Sequence, residues 1–105
     1  MKEILINKRL IGESNAPFII AEISANHNGS IENAKKLIGL ASQYGADAVK
    51  IQSYEPDSLT FNLSDPDFII DKGLWKGKSL YQLYSEAFTP FSWHEELFDF
   101  ANREG

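Results

Sequence analysis

An apolar run that ends in polar and charged residues, and then occurs a second time, constrains this chain more than any other feature. The first copy is Phe18-Ile-Ile-Ala-Glu-Ile-Ser-Ala-Asn-His-Asn-Gly-Ser30. It predicts a strand over Phe18 to Ser24, a polar loop, and a helix entered at Ser30. The second copy is Asp47-Ala-Val-Lys-Ile-Gln-Ser-Tyr54, a strand over Asp47 to Gln52. Side chains alternate along a strand, so Phe18, Ile20, Glu22 and Ser24 share one face. Ala48, Lys50 and Gln52 share a face of the second strand. A strand covered on both faces reads as apolar throughout. Glu22, Lys50 and Gln52 break that pattern at the same end of both strands. In parallel α/β proteins that end is where ligands bind.

The segment between the two strands predicts a helix. Ile31, Ala34, Leu37, Ile38, Ala41 and Tyr44 recur at helical spacing. Ser30 is a good N-cap and Gly45 a good stop. One helix between two strands forces a parallel pair. Before them, Glu3-Ile-Leu-Ile6 and Leu10-Ile11 flank Asn7-Lys8-Arg9 and predict a small hairpin over residues 1–12, a lid on one end of the fold. After them, residues 53–78 form a long loop, a kind more often functional than idle. Phe68-Ile-Ile70 and Leu74-Trp75 are its expected anchors. Ser79-Leu-Tyr-Gln82 and Ser92-Trp-His-Glu95 read as two capping boxes. They predict helices to Ala87 and from Trp93 to Glu104, the latter with Leu97, Phe98 and Ala101 as its apolar stripe. The expected fold is α/β: a hairpin, then over 17–105 the first two units of a (β/α)8 TIM barrel. A complete barrel takes roughly 250 residues, so the remainder is expected outside these 105.

Composition narrows the function classes. The net charge of −5 argues against non-specific nucleic-acid binding. The sequence has no cysteine, which excludes disulfides and cysteine metal sites. Neither a signal peptide nor a membrane span is legible, and a cytoplasmic location is expected. P-loop, dinucleotide-glycine and nucleophile-elbow patterns are missing.

The candidate site is therefore the strand-end set. Glu22 is a carboxylate in an apolar strand, and its bland alternative is a buried ion pair with Lys50. Lys50 suits a phosphate or carboxylate. Gln52 can donate to and accept from a hydroxyl or amide. Asn26, His27 and Asn28 lie on the first loop. For His27 a loop hydrogen bond and a ligand contact are both open. His94 reads as surface decoration, and the two histidines are too far apart to make a metal site. Trp75, Tyr81, Tyr84 and Trp93 are aromatic residues of the kind that line a sugar pocket, with packing of the long loop as their bland alternative; Tyr81 and Trp75 are the two most suited to reach a ligand. The set describes a pocket for a polyhydroxylated or phosphorylated small molecule and names no reaction.

Ile20-Ala-Glu-Ile-Ser-Ala-Asn-His-Asn-Gly29 and Gly45-Ala-Asp-Ala-Val-Lys-Ile-Gln-Ser-Tyr54 resemble the N-terminal part of the sialic acid synthase family. Asp67-Phe-Ile-Ile70, Gly73-Leu-Trp75, Leu80-Tyr-Gln-Leu-Tyr84 and Thr89-Pro-Phe-Ser-Trp-His94 are similar to its pseudaminic acid synthase branch. The resemblance implies a TIM barrel followed by an antifreeze-like C-terminal domain, which these residues lack. It implies condensation of phosphoenolpyruvate with an open-chain 2,4-diacetamido-2,4,6-trideoxy hexose to give pseudaminic acid and phosphate. In that family the enol carbon attacks the sugar aldehyde, the oxocarbenium centre takes up water, and the tetrahedral intermediate loses phosphate. A divalent metal, manganese or magnesium, polarises the aldehyde, with ligands outside this segment. Carried over by motif, Glu22 is the catalytic residue. Lys50 binds phosphoenolpyruvate and Gln52 the sugar, with Asn26, His27 and Tyr54 as further substrate-binding residues. The resemblance also implies a domain-swapped homodimer, because the C-terminal domain lends an arginine to the partner subunit's site. The alternatives are an N-acetylneuraminate or legionaminate synthase, and a non-catalytic sugar- or phosphate-binding module.

Overall fold

Residues 2–105 are described by a computed structural model. The hairpin pairs β1 (Ile4–Ile6) with β2 (Arg9–Ile11). Asn7 and Lys8 both have positive φ, 44° and 67°, as a two-residue type I′ turn requires. Two residues suffice for that turn, so Arg9 belongs to β2 opposite Ile6 and not to the loop. Its guanidinium pairs with the Asp47 carboxylate and donates to the Pro17 carbonyl at 2.8 Å. Asp47 also accepts the Ile19 N–H at 2.8 Å. The hairpin is thereby tied to the N-terminal ends of the next two strands, away from their polar loops.

Those strands are β3 (Ile20–Ser24) and β4 (Ala48–Ile51), parallel, with Glu22 opposite Lys50. Between them runs α1 (Ile31–Gln43), capped by Ser30, whose side chain accepts the Asn33 N–H. Gly45, at φ 91°, turns the chain out of the helix. The helix closes at Gln43, so Tyr44 lies outside the apolar stripe and is exposed.

The loop after β4 carries structure of its own. It holds α2 (Pro56–Leu59), a 3-10 turn over Pro66–Phe68, and a bridge between Ile69 and Ser79. Phe68, Ile69 and Ile70 are half-buried, but Leu74 is 87% exposed and does not anchor it. The helix α3 (Leu80–Ala87) has both arms of its capping box. The second expected box does not form. Pro90 begins a 3-10 turn over Phe91–Trp93, which leads straight into α4 (His94–Glu104) with no side-chain cap.

The core lies between the sheet and two helices. Ile23 from β3, Ala34 and Ile38 from α1, and Leu97 from α4 are buried together. Val49, Ile51, Trp93 and Phe100 pack against them. Burial of each large aliphatic side chain contributes about 1.5–3 kcal/mol. On α4 it is Phe100 that packs on this core, while Phe98 is 59% exposed. The other face of the sheet is bare: Ile20, Glu22 and Lys50 are exposed. The Cα radius of gyration is 17.2 Å, above the roughly 13 Å of a compact domain of about 100 residues. No helix among the described residues is long and apolar enough to cross a membrane.

Candidate active site

The bare face ends in a β-bulge. The register shifts between Glu22 and Ser24, which keeps Ile23 in the core and turns Ser24 back on the carboxylate. Ser24 has φ 48°, and a non-glycine residue there carries strain of about 1 kcal/mol or more. Its backbone N–H and its hydroxyl both donate to Glu22 Oε1 at 3.0 Å. Lys50 Nζ stands 2.6 Å from Glu22 Oε2. The ion pair expected as the bland alternative therefore exists, but it is open: the Lys50 side chain is 64% exposed and that of Glu22 39%.

Lys50, first, and the two Ser24 donors hold the Glu22 carboxyl below its ordinary value of 4.5, against an opposing effect of burial. Glu22 is therefore an anion in this arrangement. It can accept a hydrogen bond or a proton, and it keeps the Lys50 ammonium fixed in place. The stabilisation that this shift brings is present above pH 4.5 and is lost as pH falls through the lower value in the fold. The Glu22 carboxyl carbon, followed by NMR, is expected to titrate below 4.5, and Lys50→Ala to move that midpoint upward. A midpoint at or above 4.5 in the unsubstituted protein would count against the pairing.

Beyond the strand ends lies a cleft of about 460 Å³. Asn26, Gln52 and Tyr54 line it, so the structure brings together three of the residues expected from sequence. Asn26 and Gln52 are exposed, and Tyr54 is half-buried with its ring edge-on to Tyr84 at 5.8 Å. Burial, and secondarily Tyr84, push the Tyr54 phenol above its ordinary value, so it remains a neutral donor. Trp75 reaches the same cleft from the long loop, whereas Tyr81 is not among its lining residues. Leu59, Leu83, Tyr84 and Glu86 complete it. No pattern in the sequence pointed to Leu59, Leu83 or Glu86, whereas Tyr84 is one of the aromatic residues expected to suit a sugar pocket; the four converge from α2 and α3 only in the fold.

His27 is placed elsewhere. It is fully buried behind the cleft, so its ring holds the loop and does not reach the open face. The Gly29 N–H donates to its Nδ1 at 3.0 Å. That makes Nε2 the protonated nitrogen, donating to Thr89 Oγ1 at 3.1 Å. The ring also packs edge-on to Trp93 at 5.2 Å, and burial lowers its pKa. Thr89 in turn donates its N–H to the Gln52 carbonyl at 2.8 Å. One residue thus grips both strand-end loops, a role that Thr89-Pro90 does not announce as a sequence. His94 is likewise more than surface decoration: half-buried, it shares a hydrogen bond with the Ser53 hydroxyl at 2.5 Å. No group of three or more His, Asp or Glu able to hold a metal exists among the described residues. By themselves the described residues do not make a metal centre.

Comparisons with known proteins bear on this arrangement. The model of the NeuB family matches residues 37–105. A pseudaminic acid synthase of Campylobacter jejuni is 57% identical over 88 residues, covering 84% of this chain and 26% of that protein. One from Helicobacter pylori is 45% identical over 87 residues, covering 83% of this chain and 26% of that protein. The chain thus spans about a quarter of the length of these relatives. In structure it is similar to an N-acetylneuraminic acid synthetase of Leptospira borgpetersenii, with a TM-score of 0.74 and 23% identity. That match covers 98% of this chain and 31% of the other, and it speaks to the α/β fold alone.

Proposed function

The chain belongs to the NeuB family, and from that premise we propose that it is the N-terminal portion of a pseudaminic acid synthase. The proposed reaction condenses phosphoenolpyruvate with an open-chain 2,4-diacetamido-2,4,6-trideoxy hexose, giving pseudaminic acid and phosphate. The observation that carries this reading is the 57% identity to the Campylobacter enzyme over 88 residues. A span of 88 in a chain of 105 necessarily takes in residues 18–88. It therefore includes both strand-end motifs and the whole loop between β4 and α3.

The site's chemistry agrees with the reading. Lys50 presents a point charge on the open face for the phosphate or carboxylate of phosphoenolpyruvate. Glu22, anionic and braced by Ser24, orients that ammonium and accepts a hydrogen bond or proton at the reacting end of the sugar. Gln52, Asn26 and Tyr54 offer hydrogen bonds to hydroxyl and amide groups. His27 fixes the loop that carries Asn26. On this reading the parallel pair with one bare face supplies the opening strands of a (β/α)8 barrel. The remaining strands, a divalent metal with its ligands, an antifreeze-like C-terminal domain, a domain-swapped homodimer and a cytoplasmic setting belong to the same proposal.

The test is phosphate release by the complete protein supplied with phosphoenolpyruvate, manganese and the 2,4-diacetamido sugar. Release is expected only with both substrates. Release with N-acetylmannosamine and none with the diacetamido sugar would move the protein to the sialic acid branch. Silence with every sugar would remove the synthase reading.

A further inference from the structure

The lining of the cleft beyond the strand ends is of two unlike kinds. Asn26, Asn28 and Gln52 bring amides to it, and Leu59, Trp75, Leu83 and Tyr84 bring apolar and aromatic surface. Among the described residues lining it Glu86 alone is charged, and Glu86 pairs with Lys78. Trp75 is 49% exposed and Leu59 50% exposed, so the apolar lining lies open on the cleft. Its volume falls within the range of small-molecule sites.

Each feature restricts the occupant. Among the described residues the cation suited to a phosphate or carboxylate is Lys50, outside this lining. A sugar hydroxylated on every carbon would press hydroxyl groups against Leu59 and Trp75 with no hydrogen-bond partner, which costs free energy. A sugar that is uncharged, acylated and deoxygenated meets both kinds of lining: its amides face Asn26, Asn28 and Gln52, and its methyl groups face the ring of Trp75. We infer that Leu59, Trp75 and Tyr84 form a specificity wall that receives the methyl-bearing end of the sugar. By this wall the enzyme takes a diacetamido, trideoxy hexose over N-acetylmannosamine. This rests on the synthase reading and adds to it the residues that select the sugar. An apolar pocket discriminates by roughly 10–200-fold for each methyl or methylene it holds.

The experiment is steady-state kinetics of the complete enzyme with both sugars, for the unsubstituted protein, Trp75→Ala and Leu59→Ala. In Trp75→Ala the KM for the diacetamido sugar rises about tenfold. The KM for phosphoenolpyruvate is unchanged, and the preference over N-acetylmannosamine narrows. Leu59→Ala shows the same pattern to a lesser degree, and it decides the matter alone where Trp75→Ala does not fold. Unchanged sugar preference in an otherwise active enzyme overturns the wall and leaves the synthase reading standing. Equal rises in both substrates' KM also overturn it, because they mark a general disturbance of the site. An unsubstituted enzyme that releases no phosphate with either sugar removes the synthase reading, and the wall with it.

Discussion

Lys50→Ala is expected, on the synthase reading, to lower the complete protein's kcat/KM for phosphoenolpyruvate by about a hundredfold. The ammonium lies on the open face of the sheet, 64% exposed, with Glu22 as its partner at 2.6 Å. A charge-assisted hydrogen bond to a phosphate or carboxylate is worth about 1.5–3 kcal/mol, the free energy of such a factor. The loss is expected in the use of phosphoenolpyruvate, while the KM for the sugar stays near its original value, because the proposed sugar site is the cleft and not Lys50. Lys50→Arg recovers only part of the activity. A planar fork does not reproduce a point charge on a flexible stem. Titrating each substrate separately makes the distinction, and unchanged kinetics in Lys50→Ala would reduce Lys50 to an ion-pair partner of Glu22.

The second large effect falls on stability. His27→Ala removes a fully buried ring, strands the Gly29 N–H, and takes the donor away from the Thr89 hydroxyl. A cavity and a newly unsatisfied buried group together cost about 3 kcal/mol. Hydrogen exchange reads this locally: the amides of Gly29 and Thr89 are expected to exchange roughly a hundredfold faster. Protection equal to that of the unsubstituted protein would mean that the ring does not hold the loop. The pH dependence has a definite sign. Burial lowers the His27 pKa below 6.5, so the unfolded chain takes up a proton more readily than the fold. The contribution is full above pH 6.5 and is lost as pH falls through the lower value in the fold. The protection factor at Gly29 should fall over that window in the unsubstituted protein and show no such step in His27→Ala.

What the sequence disclosed was local or strictly periodic. Ser30 caps α1, Ser79 and Gln82 close a capping box, and Gly45 turns the chain because each acts on neighbours within a few residues. Glu22 could be set beside Lys50 because a strand has a fixed period and the two motifs align at the same end. The misreadings have the opposite character. His94, read as surface decoration, meets Ser53 at a separation of 41 residues. For His27 a loop hydrogen bond was one of the two open readings, but its partner Thr89 lies 62 residues away. Neither partner can be read from spacing. Ser92 failed to cap because Pro90 had already started a 3-10 turn. Leu74 is apolar in sequence and yet exposed, because the bridge between Ile69 and Ser79 places it at the tip of its own small loop. The motif residues Asn26, Gln52 and Tyr54 were legible, and so were the aromatic residues Trp75 and Tyr84, but Leu59, Leu83 and Glu86 were not, since α2 and α3 bring them to the cleft from another part of the chain.

The grip of Thr89 also sets an order of events. Its contact with His27 closes a loop of 62 residues, whereas its bond to Gln52 spans 37. Contacts at such separations form only after the intervening chain has lost much of its freedom. The helix α1 and the hairpin turn, built from near neighbours, can form on their own schedule. The two loops that carry the polar residues cannot be fixed until the Thr89–Trp93 segment arrives. The shape of the strand ends thus rests on contacts as distant in sequence as those that dock α4 on α1, and the cleft depends on both ends of this segment coming together.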